Sequence, residues 1–317
     1  MGFQITGTGR ALPKKVLTNE DLSRMVDTND EWILTRVGVG SRHIAAEEST
    51  ADLATEAARR ALETSGTVPG ELDLIIVATI TPDAVCPTVA GTVQQNLGAS
   101  CPAFDISSAC SGFLFALETA NGFFASGKVK KALVIGAERI SKILDWEDRS
   151  TCVIFGDGAG AAVLEEGDGY LCSELHTAGG DTVIRIPAYA GTSPFSTLPQ
   201  EKPTIFMEGQ ETFKFAVNAL TEHINSMCGK LNITPADLQH IVPHQANMRI
   251  IQMAARKLKL PLEMFVTDIE TTGNTAAASV PIALDDLARS GKLKKGDLVA
   301  MTAFGGGLSS GGCILRW

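Results

Sequence analysis

The sequence predicts an α/β protein made of two copies of one unit, each a mixed sheet with helices on both faces. Three observations lead there. Residues 74–79, 131–136 and 298–302 are largely apolar runs of β-branched character, as in strands covered on both faces. Helical periodicity fills the intervals, most clearly over residues 50–65. The chain also nearly repeats itself: 69–77 parallels 235–243, 126–131 parallels 290–295, and 155–160 parallels 304–309, in the same order. The expected halves are 1–168 and 169–317.

Taken in order, residues 3–8 read as a strand that turns at the glycines of positions 7 and 9. Residues 19–26 and 28–36 read as short helices, the second capped by Thr28 or Asn29, whose side-chain oxygens suit the free N–H groups of a first turn. Over 50–65, Leu53, Ala54, Ala57, Ala58, Ala61 and Leu62 share one face. A strand then ends near Phe104, a turn of small residues carries Cys110, and an apolar helix follows to Phe124. The run Phe-Gly-Asp-Gly-Ala-Gly ending at Gly160 leads into a strand over 161–164, whereas a nucleotide-binding fingerprint would lead into a helix. Residues 166–212 hold the join and an irregular insertion. His244 follows the strand that repeats 74–77, with a helix running on to Leu258, and Asn274 lies in a small-residue turn that matches the Cys110 turn.

Composition narrows the function. With 44% apolar residues the chain buries a large core. A net charge of −9 argues against nucleic acid, so an anionic ligand must meet a local basic patch. Seven cysteines without a CxxC pair fit neither a disulfide framework nor a cysteine zinc site, and point to a reducing cytoplasm. No window approaches the roughly 18 apolar residues of a membrane span, and no secretion signal is expected.

One residue organises the chemistry. A thiol at a strand–turn–helix junction meets unpaired N–H groups and the positive end of the helix dipole, which favour the nucleophilic thiolate. Cys110 has that place. His244 and Asn274 fall at corresponding points of the other half, and ligand sites in open α/β sheets lie at strand ends. The three are expected to converge between the halves.

Five motifs in order carry a family resemblance that covers essentially the whole chain: Asp105…Ala-Cys110-x-Gly-Phe, Phe-Gly-Asp-Gly-Ala-Gly160, Val-Pro-His244-Gln-Ala-Asn, Gly-Asn274-Thr…Ala-Ser-Val-Pro281 and Phe304-Gly-Gly-Gly307. The sequence resembles thiolase-fold condensing enzymes, most closely those of the β-ketoacyl-acyl-carrier-protein synthase III type. The resemblance implies a five-layered αβαβα fold, a homodimer, and a decarboxylative condensation of acyl-CoA with malonyl-carrier protein that needs no metal or redox cofactor. It makes Cys110 the acylated nucleophile, His244 and Asn274 donors to the malonyl thioester oxygen, and the backbone N–H groups of Cys110 and Gly306 the oxyanion hole. CoA contacts fall on Thr28, Trp32, Arg36, Arg149, Gly209, Phe213, Ala246, Asn247 and Arg249. Carrier-protein contacts fall on Lys214, Arg249, Arg256 and Lys257, and the acyl pocket on Cys86, Met207, Phe304 and the stretch 184–197. Cys86 stands where many relatives carry a bulky aromatic from the partner subunit, so room for longer or branched acyl chains is expected. Elongating relatives have a second His in place of Asn274, and degradative thiolases a Cys before the last glycine run, where this chain has Thr-Ala-Phe. A condensing enzyme of secondary metabolism is the alternative within the fold.

Overall fold

The computed structural model describes residues 2–187, 193–197, 199 and 201–317. Its first sheet takes β1 (Gly2–Ala11), β2 (Leu74–Ala78), β3 (Ala103–Ile106), β4 (Lys131–Arg139) and β5 (Asp157–Gly167), side by side in the order β1-β5-β4-β2-β3. The second takes β6 (Tyr170–Thr177), β7 (His240–Pro243), β8 (Leu298–Gly305) and β9 (Ser309–Arg316), in the order β6-β9-β8-β7. The two orders superpose strand for strand. Even β3 has a counterpart, an isolated bridge between Ile241 and Phe265 beside β7. Pairing is parallel between β4, β2 and β3 and between β7 and β8, and antiparallel elsewhere, so each sheet is mixed.

The helices fill three layers. Helix α1 (Thr50–Ser65) starts at a reciprocal cap, Ser49 with Asp52, and stops at Gly66, whose φ of 71° suits a residue without Cβ. With α2 (Val89–Leu97) it buries an alanine-rich face against Ile75, Val77, Leu133 and Ile135 of the first sheet. On the opposite face, Leu74, Ile76 and Val134 pack against α3 (Gly112–Ala125), whose Phe113, Leu114, Leu117 and Phe124 are buried. The same core contains Val299, Met301 and Ala303 of the second sheet and Val280, Ala283, Leu284 and Leu287 of a later helix, Ser279–Arg289. Beyond the second sheet lie α4 (Gly209–Lys230) and α5 (Met248–Leu258), and the middle-layer Ser279–Arg289 is α6. The layers read helix, sheet, helix, sheet, helix, which is the expected αβαβα arrangement.

Glycines set the seam between the halves. A Cβ on Gly136 would lie 2.2 Å from the Ala277 carbonyl oxygen, and one on Gly160 2.6 Å from Pro281 and Ile282 backbone atoms. The Phe-Gly-Asp-Gly-Ala-Gly run is therefore a close-approach surface. Asp157 within it accepts hydrogen bonds from Ala45 N, Ser141 N and Ser141 Oγ, which ties three segments together.

Differences from the sequence reading are local. β1, β4 and β8 extend beyond the apolar runs because their ladders continue through neighbouring strands. The helix expected over 19–26 covers Asn19–Ser23, and Asn29 rather than Thr28 caps Asp30–Arg36, accepting from Trp32 N at 2.8 Å. β6 lies inside the stretch read as irregular; it is a sheet-edge strand with no apolar run to announce it. Among the described residues no helix is long and apolar enough to cross a membrane.

Candidate active site

β3 ends at Ile106 and α3 starts at Gly112, so five residues must reverse the chain. The reversal uses Ala109 at φ 45°, a left-handed value uncommon outside glycine, followed by a single 3-10 turn, Ala109–Ser111, that carries Cys110. Ser111 Oγ donates to Ser108 O at 2.8 Å and accepts from Ser309 Oγ at 2.8 Å, while Ser309 Oγ also lies 2.8 Å from Gly306 O. These bonds clamp the turn to the glycine run after β8. The clamp is tight: a Cβ on Gly305 would lie 2.7 Å from Cys110 N.

The other half supplies the matching turn. Asn274 N donates to Ile154 O at 2.9 Å and Asn274 O accepts from Gly156 N at 3.0 Å, so the stretch before β5 holds it from the first half. Its Oδ1 accepts from Ala276 N at 2.9 Å, and among the described residues no acceptor engages its Nδ2. Ala276 repeats the kink of Ala109, at φ 47°, and opens a 3-10 turn, Ala276–Ala278, ahead of α6. The two turns touch, with the Cβ position of Gly112 3.5 Å from Ala277 Cβ, and Cys110 packs against the cluster that holds Ala276 and Phe155. His244 follows β7, and its N–H donates to Thr302 O at 2.7 Å. Its ring meets the edge of Phe304 at 5.2 Å and 66°, and its Nδ1 lies 2.5 Å from Ser279 Oγ. β8 thus carries Thr302 beside His244 and Gly305 beside Cys110, so one strand end passes both residues.

Electrostatics there correct one expectation. Burial, helped by the nearby Glu138 carboxylate, pushes the Cys110 thiol up to about 12, and only its own backbone N–H opposes this. Cys110 rests as a thiol, not a thiolate. Burial likewise lowers His244 to about 3, so the imidazole is neutral. Glu138 is buried at the end of β4 and accepts from the hydroxyls of Thr79 and Thr81 and from Ile80 N. Burial raises its carboxyl to about 8 against the pull of those donors.

Comparison with known proteins matches this arrangement. The family description 3-oxoacyl-[acyl-carrier-protein] synthase III matches residues 104–179, and its C-terminal counterpart matches 228–317. The chain is 48% identical over 319 residues to the β-ketoacyl-[acyl-carrier-protein] synthase III of Thioalkalivibrio sulfidiphilus, covering 99% of each. It is 49% identical over 321 residues to that of Caldanaerobacter subterraneus, covering 99% of this chain and 97% of that one. The crystal structure of the Aquifex aeolicus synthase III superposes with a TM-score of 0.94 at 46% identity, covering all of both chains. The chain belongs to the β-ketoacyl-acyl-carrier-protein synthase III family. It is a condensing acyltransferase of the thiolase fold, acting at the initiation of fatty-acid synthesis.

Around the triad this synthase III assembles the other anticipated residues unevenly. Asn247 caps α5 by accepting from Arg249 N at 2.9 Å, and its Nδ2 donates to Arg36 O at 3.1 Å. The Arg249 guanidinium lies 5.9 Å from the Phe213 ring centroid and that of Arg149 5.5 Å from Trp32. Among the described residues Thr28 Oγ1 is buried without a hydrogen-bond partner. Trp32, Arg36, Arg149, Phe213, Asn247 and Arg249 thus form linked contacts from four distant segments, with Ala246 beside them and Gly209 exposed at the start of α4. Lys214, Arg256 and Lys257 are exposed, and among the described residues neither they nor Arg249 pairs with a carboxylate.

The acyl-pocket residues are not brought together. A cavity of about 720 Å³ opens beside Ala109 and Gly306, walled by Ile80, Ile106, Phe115, Ile143, Ile184 and Ile186. Cys86, Met207 and Phe304 are absent from its wall. Cys86 is exposed on the loop between β2 and α2, Met207 packs into the cluster around Ile154 and Phe155, and Phe304 sits between His244 and Phe215. Of the stretch 184–197, Ile184 and Ile186 do line the cavity, while 188–192 lie outside the described residues. Sequence reasoning missed Glu138 and Ser279, although Ser279 stands inside the Asn274 motif and so carried a signal.

Proposed function

We propose that this synthase III runs a two-stage acyl transfer through Cys110. The Cys110 sulfur attacks the thioester carbonyl of an acyl-CoA, the tetrahedral oxyanion takes the backbone N–H groups of Cys110 and Gly306, and CoA departs as its thiol with the proton Cys110 gives up. Malonyl-carrier protein then enters. His244 Nε2 and Asn274 Nδ2 donate to its thioester oxygen as carbon dioxide leaves, and the resulting enolate carbon attacks the acyl-Cys110 carbonyl. The bond from acyl carbon to Cys110 sulfur breaks as the carbon–carbon bond forms, giving 3-oxoacyl-carrier protein and a Cys110 thiolate that regains its proton from solvent. Residues 1–168 supply the nucleophile, and 169–317 supply the enolate-binding pair and the glycine run.

The observation that carries this reading is the packing of Cys110 N against Gly305 beside an apolar cavity, on the strand whose Thr302 also holds the His244 backbone. A neutral imidazole suits a donor to an enolate, because its proton is given in a hydrogen bond and not lost. Trp32, Arg36, Arg149, Phe213, Ala246, Asn247 and Arg249, with Thr28 and Gly209, form the CoA entrance, an indole and guanidinium pair suiting an adenine ring. Lys214, Arg249, Arg256 and Lys257 form the landing face for an acidic carrier protein. The loop of Cys86 supports a homodimer. Val85 is 96% exposed, yet both roots are pinned, by Asp83 to Thr50 N and Ala51 N and by Asp105 to Val89 N and Ala90 N. A rigid apolar tip of this kind fits a second copy, where the small Cys86 side chain leaves room for longer or branched starters. We place the enzyme in the cytoplasm, where its free thiols persist.

Intact mass after brief incubation with straight and branched acyl-CoAs tests the first stage. A single acyl adduct on the wild type that is absent from Cys110→Ser supports it. No adduct from any acyl-CoA, or an adduct retained in the variant, overturns it.

A further inference from the structure

His244 and Ser279 face each other in the most enclosed part of the site. Each is 1% exposed, and Nδ1 to Oγ is 2.5 Å. The backbone N–H of Gln245 also donates to Ser279 Oγ, at 3.4 Å. That second contact decides the direction of the first. A neutral imidazole has one N–H and one bare nitrogen, and a hydroxyl has one proton and two acceptor positions. Were Nδ1 to carry the proton, two N–H groups would converge on Ser279 Oγ. The hydroxyl proton would then have no acceptor, since among the described residues Ser279 Oγ reaches none but Nδ1. With the hydroxyl donating to Nδ1, both contacts are made and its proton has an acceptor; buried groups without partners are costly.

We propose that Ser279 is a positioning residue whose hydroxyl donates to His244 Nδ1 and holds the imidazole as the neutral Nε2–H tautomer. Phe304 fixes the plane of the ring by its edge contact, and Thr302 fixes the backbone from which it projects. The partner on Nδ1 is a hydroxyl and not a carboxylate, which separates this site from relays built to make imidazolium. Burial acts in the same direction, keeping the ring neutral down to about pH 3. Ser279 is the first residue of α6 and follows the Ala276 kink that also orients Asn274. One turn therefore aims both donors at the thioester oxygen. The inference rests on the reading of His244 as that oxygen's donor.

The test is ¹H–¹⁵N long-range correlation of His244 in the ¹⁵N-histidine-labelled enzyme, alongside two rates. One is acyl loading of Cys110 from acyl-CoA, and the other is decarboxylation of malonyl-carrier protein. The expected wild-type pattern is a neutral Nε2–H imidazole. Ser279→Ala is expected to mix the tautomers and slow decarboxylation roughly tenfold or more, with loading changed less than about twofold. Ser279→Cys, close in size and a weaker donor, is expected to fall between them, and serves if the alanine variant folds poorly. A wild-type Nδ1–H pattern, or tautomers unmoved in both variants, overturns the assignment. A shifted tautomer with decarboxylation unchanged upholds the Ser279 bond and overturns the role given to His244.

Discussion

At Gly305 the site leaves no space for a methyl group, which would lie 2.7 Å from Cys110 N and 3.1 Å from its Cβ. Gly305→Ala is expected to push the glycine run off the nucleophile turn. The rate of acyl-adduct formation should fall on the order of a hundredfold. Melting should report a loss of about 1–3 kcal/mol; an unchanged adduct rate would separate the glycine run from the chemistry. At this scale Cys110, His244 and Asn274 stood out in the sequence because a thiol, an imidazole and an amide lay beside small residues that only close approach explains. The thiol's protonation state did not. A helix terminus contributes roughly 0.3–2 kcal/mol. Desolvation can move a pKa by as much as about 3–5 units at the fully buried limit, and the half-buried Cys110 lies part of the way toward it. Desolvation beside Glu138 therefore outweighs the helix at Cys110. Ser279 and Glu138 escaped notice because a serine opening a helix, or a glutamate ending a strand, ordinarily faces water.

Among the elements, α5 shows how periodicity sorts one helix into a buried face and a cationic face. Ile250, Ile251, Ala254 and Ala255 turn inward, while Arg249, Arg256 and Lys257 stay outside around Met253, which is 41% exposed. Cations around an apolar centre form a surface that steers and then grips an acidic partner. Reversing Arg256 and Lys257 to Glu is expected to raise KM for malonyl-carrier protein by about tenfold at low salt, and to flatten its salt dependence. Acyl loading from CoA should hold, and equal losses in both half-reactions would remove the carrier from this face. Lys257 Nζ also donates to Asn218 Oδ1 on α4 at 2.8 Å, so a melting curve accompanies that variant. The cationic face was visible at spacings of seven and eight residues. β6 was not, because its partly exposed edge gives no apolar run, and its place is set by the ladder with β9. Ser310, His223 and Glu174 nearby mimic a hydrolase relay, at 2.9 and 3.2 Å. Ser310 sits in a strand paired on both sides, which leaves no neighbouring N–H groups for an oxyanion.

For the molecule as a whole, the seam between the halves positions everything else. Gly160→Ala would drive a methyl into the backbone of Pro281 and Ile282 in α6, displacing the helix that begins at Ser279. The expected result is a melting loss of about 1–3 kcal/mol, with decarboxylation falling more than acyl loading. A loss of stability with both rates intact would show that α6 absorbs the wedge elsewhere. The duplication was legible because turns and strand entries repeat as words. The apolar pocket was not, because its wall draws on residues from 79 to 309 that no local pattern links. The twin left-handed alanines, Ala109 and Ala276, reach further back. So uncommon a bend at matching positions is best inherited by both halves from a single ancestor that already had it. That ancestor, pairing with itself, would have set two identical kinks face to face across its symmetry axis. Fusion into one chain would break that symmetry, and the present sequence differs at the two kinks: Ala109 precedes the thiol of Cys110, whereas Ala276 stands between the amide of Asn274 and the hydroxyl of Ser279.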